Sequence, residues 1–204
     1  MSTTGSWPNT LNVYMNTKGR LGHKFCEPFD LYDNDGMPNW LVHPILGHGI
    51  DIIAMPIRPK VEPDWYAVNQ LDTLENLSLT VGQDVFILGY PFAIGPSGYP
   101  IWKRASIASE PEVLSPEQPY ILVDTASRRG MSGSPVIRRS WGNHPLSDGG
   151  LLTTPGAMTK FVGIYSGRLN TADQKDAQLG LVWPASFIDE VVAGKHRDHS
   201  TQCP

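Results

Sequence analysis

A serine in a glycine-rich turn is the feature of this sequence that most clearly indicates chemistry. Ser132 lies in the segment Gly130-Met-Ser-Gly-Ser-Pro-Val136, with one glycine two residues before it and another directly after it. A nucleophilic hydroxyl must protrude while nearby backbone N–H groups converge on the oxyanion that forms, and glycines permit the tight turn this requires. The segment therefore predicts a nucleophile at Ser132. A plain surface turn before a strand is the alternative, because short motifs also occur without function.

The serine segment resembles the nucleophile motif of the trypsin-like serine peptidases, particularly bacterial ones, in which G-x-S-G-(G/S)-P precedes a strand. Further segments are similar to the second barrel of that family: VGQDVFILGYPFAIG from Val81, GIYSGR from Gly163, and LGLVWP from Leu179 followed by a helix. Asp124, eight residues before the serine, matches a position where the family often has aspartate. The resemblance is dense over residues 81–194 and implies peptide-bond hydrolysis through an acyl-enzyme.

This resemblance implies roles for individual residues. Ser132 would be the nucleophile, and the N–H groups of Gly130 and Ser132 would form the oxyanion hole. Asp51, in a segment GIDIIAMPI similar to the family's aspartate-bearing strand, would orient a histidine. The walls of the substrate pocket would be Ala126, Ser166, Gly167, Arg168 and Gly180. None of these is acidic, so we expect a modest apolar side chain before the scissile bond rather than lysine or arginine, although Arg168 could close the pocket mouth or attract an acidic residue.

The general base is the part of the family pattern that this sequence lacks. No histidine stands in the family's apolar-Thr-(Ala/Asn)-x-His setting upstream of Asp51. His43 and His48 are too close to Asp51 to belong to a separate element, and His23, 28 residues before Asp51, has only its spacing in its favour. We expect the family histidine and its strands to precede Met1 in a longer chain, and this chain to be inactive or weakly active. A non-catalytic binding module on the same scaffold is the alternative.

The elements that must position these residues are mostly strands, because short apolar runs recur between turn residues. The candidate strands are Leu11–Asn16, Lys24–Tyr32, Asn39–Val42, Ile50–Pro56, Trp65–Val68, Asp84–Tyr90, Ile101–Ser109, Tyr120–Asp124, Ser134–Arg138, Lys160–Ser166 and Leu179–Trp183. Apolar residues at helical spacing after Pro184 predict a helix that ends near Gly194. The fold class predicted is all-β, with two antiparallel six-stranded-type barrels, the first incomplete, and a short C-terminal helix.

A polar stretch at residues 69–83 separates the two strand-rich halves. We therefore predict an incomplete first barrel over residues 1–79, and a second barrel over residues 80–194 that carries the serine turn and the helix. The polar residues 195–204 are expected to form a loose tail.

Composition excludes several classes of partner. The formal net charge is −4 and only 18% of residues are charged, so no broad basic field is present to bind nucleic acid. No apolar run approaches the roughly 18 residues that a membrane span needs. The amino terminus lacks the pattern of a secretory signal, and two cysteines can form at most one bridge. We expect a cytoplasmic protein that acts on peptides or proteins; its oligomeric state stays open.

Other types of site fit the residues less well. An α/β-hydrolase elbow, G-x-S-x-G, would need glycine where Ser134 stands. A zinc site built from His43, His48 and Asp51 is disfavoured because Pro44 between the histidines prevents one shared helical face. We expect neither a metal nor a cofactor.

Overall fold

The computed structural model describes residues 8–71, 73–93, 95, 98–169 and 178–199. The chain divides into two compact units, one comprising Met1–Trp65 with Phe187–Pro204 and the other comprising Tyr66–Ser186. The domain limits predicted from the sequence, 1–79, 80–194 and 195–204, stay predictions. No helix in the described part of the chain is long and apolar enough to cross a membrane.

The first unit contains a three-stranded antiparallel sheet in the order β2-β1-β3. Its strands are β1 (Thr10–Thr17), β2 (Lys24–Asp30) and β3 (Pro63–Asp64). β1 and β2 correspond to the predicted strands Leu11–Asn16 and Lys24–Tyr32, and the structure pairs them as an antiparallel hairpin. The sequence analysis missed β3, whose Asp64 carboxylate accepts a hydrogen bond of 2.7 Å from the Gly19 N–H in the hairpin turn. A strand of two residues is too short to leave a periodic signal.

Three predicted strands in this region are wrong. Residues Asn39–Val42 and Ile50–Pro56 share only an isolated bridge between Leu41 and Ala54, with N–O distances of 2.7 and 3.0 Å. Trp65–Val68 is not a strand either, and a 3-10 helix occupies Val68–Leu71. Prolines at positions 44, 56 and 59 cannot donate hydrogen bonds, which prevents continuous strand pairing here.

The predicted helix is present as α1, Ala185–Gly194. Its apolar residue Val191 is fully buried, whereas Val192 is about half exposed. Gly194 ends the helix against Pro44: a Cβ atom on this glycine would lie 2.7 Å from the Pro44 ring.

The expectation of a loose segment after the helix is wrong for residues 195–199, while residues 200–204 lie outside the described part. Arg197 donates hydrogen bonds to the carbonyls of Met37 and Pro38 and forms an ion pair of 2.8 Å with Asp33. Asp198 is buried and accepts a hydrogen bond from the indole of Trp40. These side-chain contacts fasten the segment to the first unit.

The second unit is a closed antiparallel barrel in the order β4-β5-β6-β9-β8-β7. Its strands are β4 (Asp84–Gly89), β5 (Ile101–Ile107), β6 (Ile121–Asp124), β7 (Ser134–Pro145), β8 (Leu151–Arg168) and β9 (Leu179–Pro184). Alternate residues face inward, as the period of a strand requires: Val85 and Ile87 of β4 pack with Val123 of β6 and Val182 of β9. The all-β class is confirmed, with a complete barrel, a smaller sheet and a short C-terminal helix.

The hairpin of β7 and β8 is much longer than the sequence predicts. Pairing continues outward to Pro145↔Leu151, and the Asp148 side chain accepts the Gly150 N–H in the turn at 2.8 Å. In this outer part the polar His144 is buried, whereas the apolar Trp141 and Leu151 are exposed. The apolar alternation that marks a strand is therefore absent from it.

Candidate active site

The serine turn lies directly before β7 and is anchored from both ends. Met131 is fully buried in the barrel core, whereas Ser132 is exposed. The Gly133 N–H donates a hydrogen bond of 2.8 Å to the Tyr165 carbonyl on β8, and the Ser134 N–H donates one of 3.1 Å to the Met131 carbonyl. The turn thus holds a hydroxyl outward on a fixed backbone, which is what a nucleophile needs.

Both glycines of the turn adopt backbone angles that favour glycine, with φ of +90° at Gly130 and +82° at Gly133. Gly130 is also required for space, since a Cβ atom there would lie 2.4 Å from the Tyr90 carbonyl oxygen. The Phe92 N–H donates a hydrogen bond of 2.8 Å to the Arg129 carbonyl, so two backbone segments meet here. Among the described residues, the N–H groups of Gly130 and Ser132 make no hydrogen bond.

A pocket of about 390 Å³ opens beside the serine. Three residues named by the sequence analysis line it, namely Ser132, Gly167 and Arg168. A Cβ atom built on Gly167 would lie 3.5 Å from Ser132 Oγ, so β8 passes directly beside the hydroxyl. The pocket lining that the sequence analysis missed consists of Phe92, Ser127, Arg128, Arg129 and Tyr165.

A hydrogen-bonded group at the pocket wall joins β8 to the segment after β6. The buried Tyr165 hydroxyl donates to Ser127 Oγ. The Arg168 guanidinium donates from Nη2 to the Ser127 carbonyl and, at 3.4 Å, from Nε to Ser127 Oγ. Burial raises the pKa of the Tyr165 hydroxyl, although the Ser127 hydrogen bond and the charge of Arg168 act in the opposite direction. Tyr165 therefore stays neutral and acts as a donor.

The other predicted wall residues lie elsewhere in the same unit. Ala126 is half-buried in the segment after β6, and Ser166 is half-buried on β8. Gly180 on β9 faces the ring of Tyr165, to which an added Cβ would approach within 2.4 Å. The described lining of the pocket includes none of these three. The Tyr165 ring occupies the space that the sequence analysis left open next to Gly180.

A family model for a trypsin-like peptidase domain matches residues 13–142. This span is more than half of the 204 residues and includes the serine turn. The chain belongs to the trypsin-like peptidase family.

Among solved structures, this trypsin-like peptidase domain is similar to the crystal structure of Rv3671c from M. tuberculosis H37Rv, a serine-to-alanine mutant in an inactive form. The match covers 92% of this chain and 77% of that chain, with 18% sequence identity and a TM-score of 0.36. A comparison with curated protein sequences gave no match.

Asp51 belongs to the first unit of the peptidase domain. Its side chain is exposed, and it stands in an irregular segment rather than at the start of a strand. The sequence analysis was therefore wrong about the strand, while the orienting role of Asp51 stays a prediction.

His43 has a structural environment in this peptidase domain. Its ring is buried, and Nδ1 accepts the N–H groups of Ile45 and Leu46 at 3.3 and 3.0 Å. The proton of the neutral ring therefore resides on Nε2, which donates to Glu190 on α1 at 2.8 Å. Phe187 packs edge-on against the ring. Both nitrogens are used to hold a loop against the helix.

The remaining histidines all lie within the described residues. His144 is buried in the second unit, with its ring nitrogens 2.7 Å from Ser140 Oγ and 2.9 Å from Thr154 Oγ1. In the first unit, His48 Nε2 lies 3.2 Å from an Asp198 oxygen, and His23 is exposed in the loop before β2. His196 and His199 pack edge to face, with ring centroids 5.6 Å apart. Within the described part of the chain, no group of three His, Cys, Asp or Glu residues could hold a metal ion.

Proposed function

We propose that this trypsin-like peptidase domain uses Ser132 as a nucleophile on peptide bonds. The observation that carries the proposal is an exposed serine on a turn of two positive-φ glycines, beside a pocket large enough for a side chain. Attack by Ser132 Oγ on a peptide carbonyl would place negative charge on the carbonyl oxygen. The N–H groups of Gly130 and Ser132 would then stabilise that oxyanion. Collapse of this intermediate would release the amine, which takes up the proton that Ser132 gave to the base, and leave an acyl-enzyme that water then hydrolyses to the acid and free Ser132.

Proton transfer from Ser132 is the step to which this proposal assigns no histidine of the described chain. A general base must accept the Ser132 proton, and in this proposal Asp51 orients the histidine that does so. His43 and His144 each use both ring nitrogens in local hydrogen bonds. We therefore propose that this chain, assayed alone, hydrolyses peptides slowly. Loss of one triad member lowers turnover by on the order of 10⁴–10⁶, and the oxyanion hole and substrate binding supply what remains.

The test combines covalent labelling with hydrolysis. A fluorophosphonate probe and a fluorogenic peptide library are applied to the unmodified chain and to the Ser132→Ala and His23→Ala variants. We expect slow labelling and slow hydrolysis that both disappear in Ser132→Ala and persist in His23→Ala. Hydrolysis that survives in Ser132→Ala would refute the nucleophile assignment. Fast hydrolysis that His23→Ala abolishes would show that His23 is the base, and the proposal of slow turnover would be wrong.

A non-catalytic binding module is the second candidate function. The structural use of His43 and His144 favours it, because neither ring has a nitrogen left for proton transfer. The two candidates differ in the fate of a bound peptide. Peptide that binds with measurable affinity and is recovered intact after prolonged incubation, with Ser132 unlabelled, supports the binding module.

A further inference from the structure

The charged side chains in the described lining of the pocket beside Ser132 are all positive. Three arginines line it, Arg128, Arg129 and Arg168, and no Asp or Glu is part of its described lining. Two arginines elsewhere in the chain pair with carboxylates: Arg104 lies 2.6 Å from Asp84, and a similar ion pair was described above for Arg197. Among the described residues, the three pocket arginines have no such partner.

Two of the pocket guanidinium groups converge on one neutral atom. Arg168 Nη2 donates to the Ser127 carbonyl oxygen, and Arg128 Nη1 lies 3.4 Å from the same oxygen. A carbonyl group accepts hydrogen bonds but neutralises no charge, so the two cations still repel each other. Each guanidinium carries five N–H donors, and the Ser127 contacts use only some of them. Among the described residues, the arrangement leaves directed donors at the pocket wall and no carboxylate to balance their positive charge.

We infer that this pocket selects an acidic side chain, Glu or Asp, on the residue whose carbonyl group Ser132 attacks. The inference rests on the proposed function for its geometry: Ser132 is part of the wall, so the side chain adjacent to the attacked carbonyl is the one within reach. A carboxylate accepts charge-assisted and often bidentate hydrogen bonds from arginine, which neutral side chains cannot match. The sequence analysis expected an apolar preference and left an acidic one open through Arg168. The space next to Gly180, which would have held an apolar side chain, is occupied by the Tyr165 ring.

Binding to a non-reacting protein tests the inference separately from catalysis. The Ser132→Ala chain is titrated with fluorescent peptides, capped at both ends, that differ only in carrying Glu, Gln, Leu or Lys at one internal position. Fluorescence polarisation gives each Kd. We expect the Glu peptide to bind about tenfold more tightly than the Gln peptide. The preference should shrink as salt is raised from about 50 mM to about 500 mM, because screening weakens exposed charge pairs.

Variants assign the preference to the pocket. Arg129→Gln removes one positive charge without touching the Ser127–Tyr165 hydrogen bonds, and Arg168→Gln removes the charge next to Gly167. Lys103→Gln is the matched control, since Lys103 lies on β5 outside the described pocket lining. We expect the Glu-over-Gln ratio to fall at least about threefold in each arginine variant and to persist in Lys103→Gln.

The outcomes separate the two proposals. Equal Kd values for the Glu and Gln peptides, or equal losses in Lys103→Gln and Arg129→Gln, would overturn the acidic preference even if Ser132 proves to be the nucleophile. Displacement of the Glu peptide by inorganic phosphate at comparable concentration would mark a site for small anions and would also overturn it. Tight, salt-sensitive binding of the Glu peptide supports the inference even if the unmodified chain leaves that peptide intact.

Discussion

Gly130→Ala should destabilise the barrel because the added Cβ atom would clash with the Tyr90 carbonyl oxygen, whereas a Cβ atom added at Gly133 would clash with nothing. At φ of +90° an L-residue costs about 1–2 kcal/mol relative to its preferred conformations. A Cβ atom at 2.4 Å from the Tyr90 carbonyl oxygen adds an overpacking cost of about 1–3 kcal/mol, because that oxygen belongs to the backbone and cannot rotate away. The free energy of unfolding should therefore fall by about 2–5 kcal/mol.

Gly133→Ala is a matched control within the same turn. Its φ is +82°, nearly that of Gly130, but a Cβ atom there would have no neighbour within 4 Å. This variant should lose only the conformational cost of about 1–2 kcal/mol. The difference between the two variants, about 1–3 kcal/mol, isolates the contact with Tyr90. Gly149→Ala, at φ of +85° with no neighbour within 4 Å, is a second control outside the serine turn.

Urea unfolding followed by circular dichroism measures these differences. With a slope of about 2 kcal/mol per M, the midpoint of Gly130→Ala should lie roughly 0.5–1.5 M below that of Gly133→Ala. The slopes of the three variants should agree, which would show that the midpoints report stability rather than a change in the unfolded state. Equal midpoints for Gly130→Ala and Gly133→Ala would refute the close approach of the serine turn to Tyr90.

Three further predictions concern buried groups. Asp198→Ala should lower the stability of the first unit by about 1–3 kcal/mol, because the Trp40 indole loses its acceptor; an unchanged urea midpoint by tryptophan fluorescence would contradict this. Gly163→Ala should cost more than about 3 kcal/mol, since its Cβ would lie 1.8 Å from the Trp183 carbonyl oxygen, and a loss below about 1 kcal/mol would exclude that contact. Burial raises the pKa of the Tyr165 hydroxyl above the value of about 10 that it has in the unfolded chain. The protonated hydroxyl therefore contributes its full stabilisation of the fold below pH about 10, and that contribution is lost as pH rises through the higher pKa of the folded state. Tyr165→Phe should therefore flatten the alkaline fall in stability, and an identical pH profile for the two proteins would rule this out.

The second barrel was predictable from the sequence because its strands obey one local rule. Inward residues such as Val85, Ile87 and Val123 alternate with outward ones, and that alternation survives without knowledge of the partners. The outer β7–β8 hairpin breaks the rule, since its buried residue is the polar His144 while the apolar Trp141 and Leu151 are exposed. The region from Asn39 to Pro56 breaks it in the opposite sense. Its apolar residues suggest strands, but the pairing within it consists of two isolated bridges, Leu41–Ala54 and His43–Gly47, and its prolines cannot donate to a longer ladder.

The serine turn could be predicted for the same reason, because its glycines are adjacent in sequence to the residue they serve. The hydrogen-bonded group of Ser127, Tyr165 and Arg168 at the pocket wall could not be predicted from the sequence. Tyr165 and Arg168 reach Ser127 across about forty residues, with separations of 38 and 41. Nothing local distinguishes these side chains from ordinary strand residues. Arg168 was named from the family resemblance, whereas its convergence with Arg128 follows only from the fold.

Substrate selection and proton transfer place different demands on this chain. The serine turn and the described lining of the charged pocket both belong to the second unit, and each is held by contacts within that unit. His43 instead holds a loop to α1, and His144 bridges hydroxyl groups on the β7–β8 hairpin. The described lining of the pocket contains no histidine. The shape of the pocket therefore does not depend on a histidine that acts as the general base. Peptide recognition should therefore persist where hydrolysis is slow, so binding selectivity is the property of this domain that can be measured independently of its turnover.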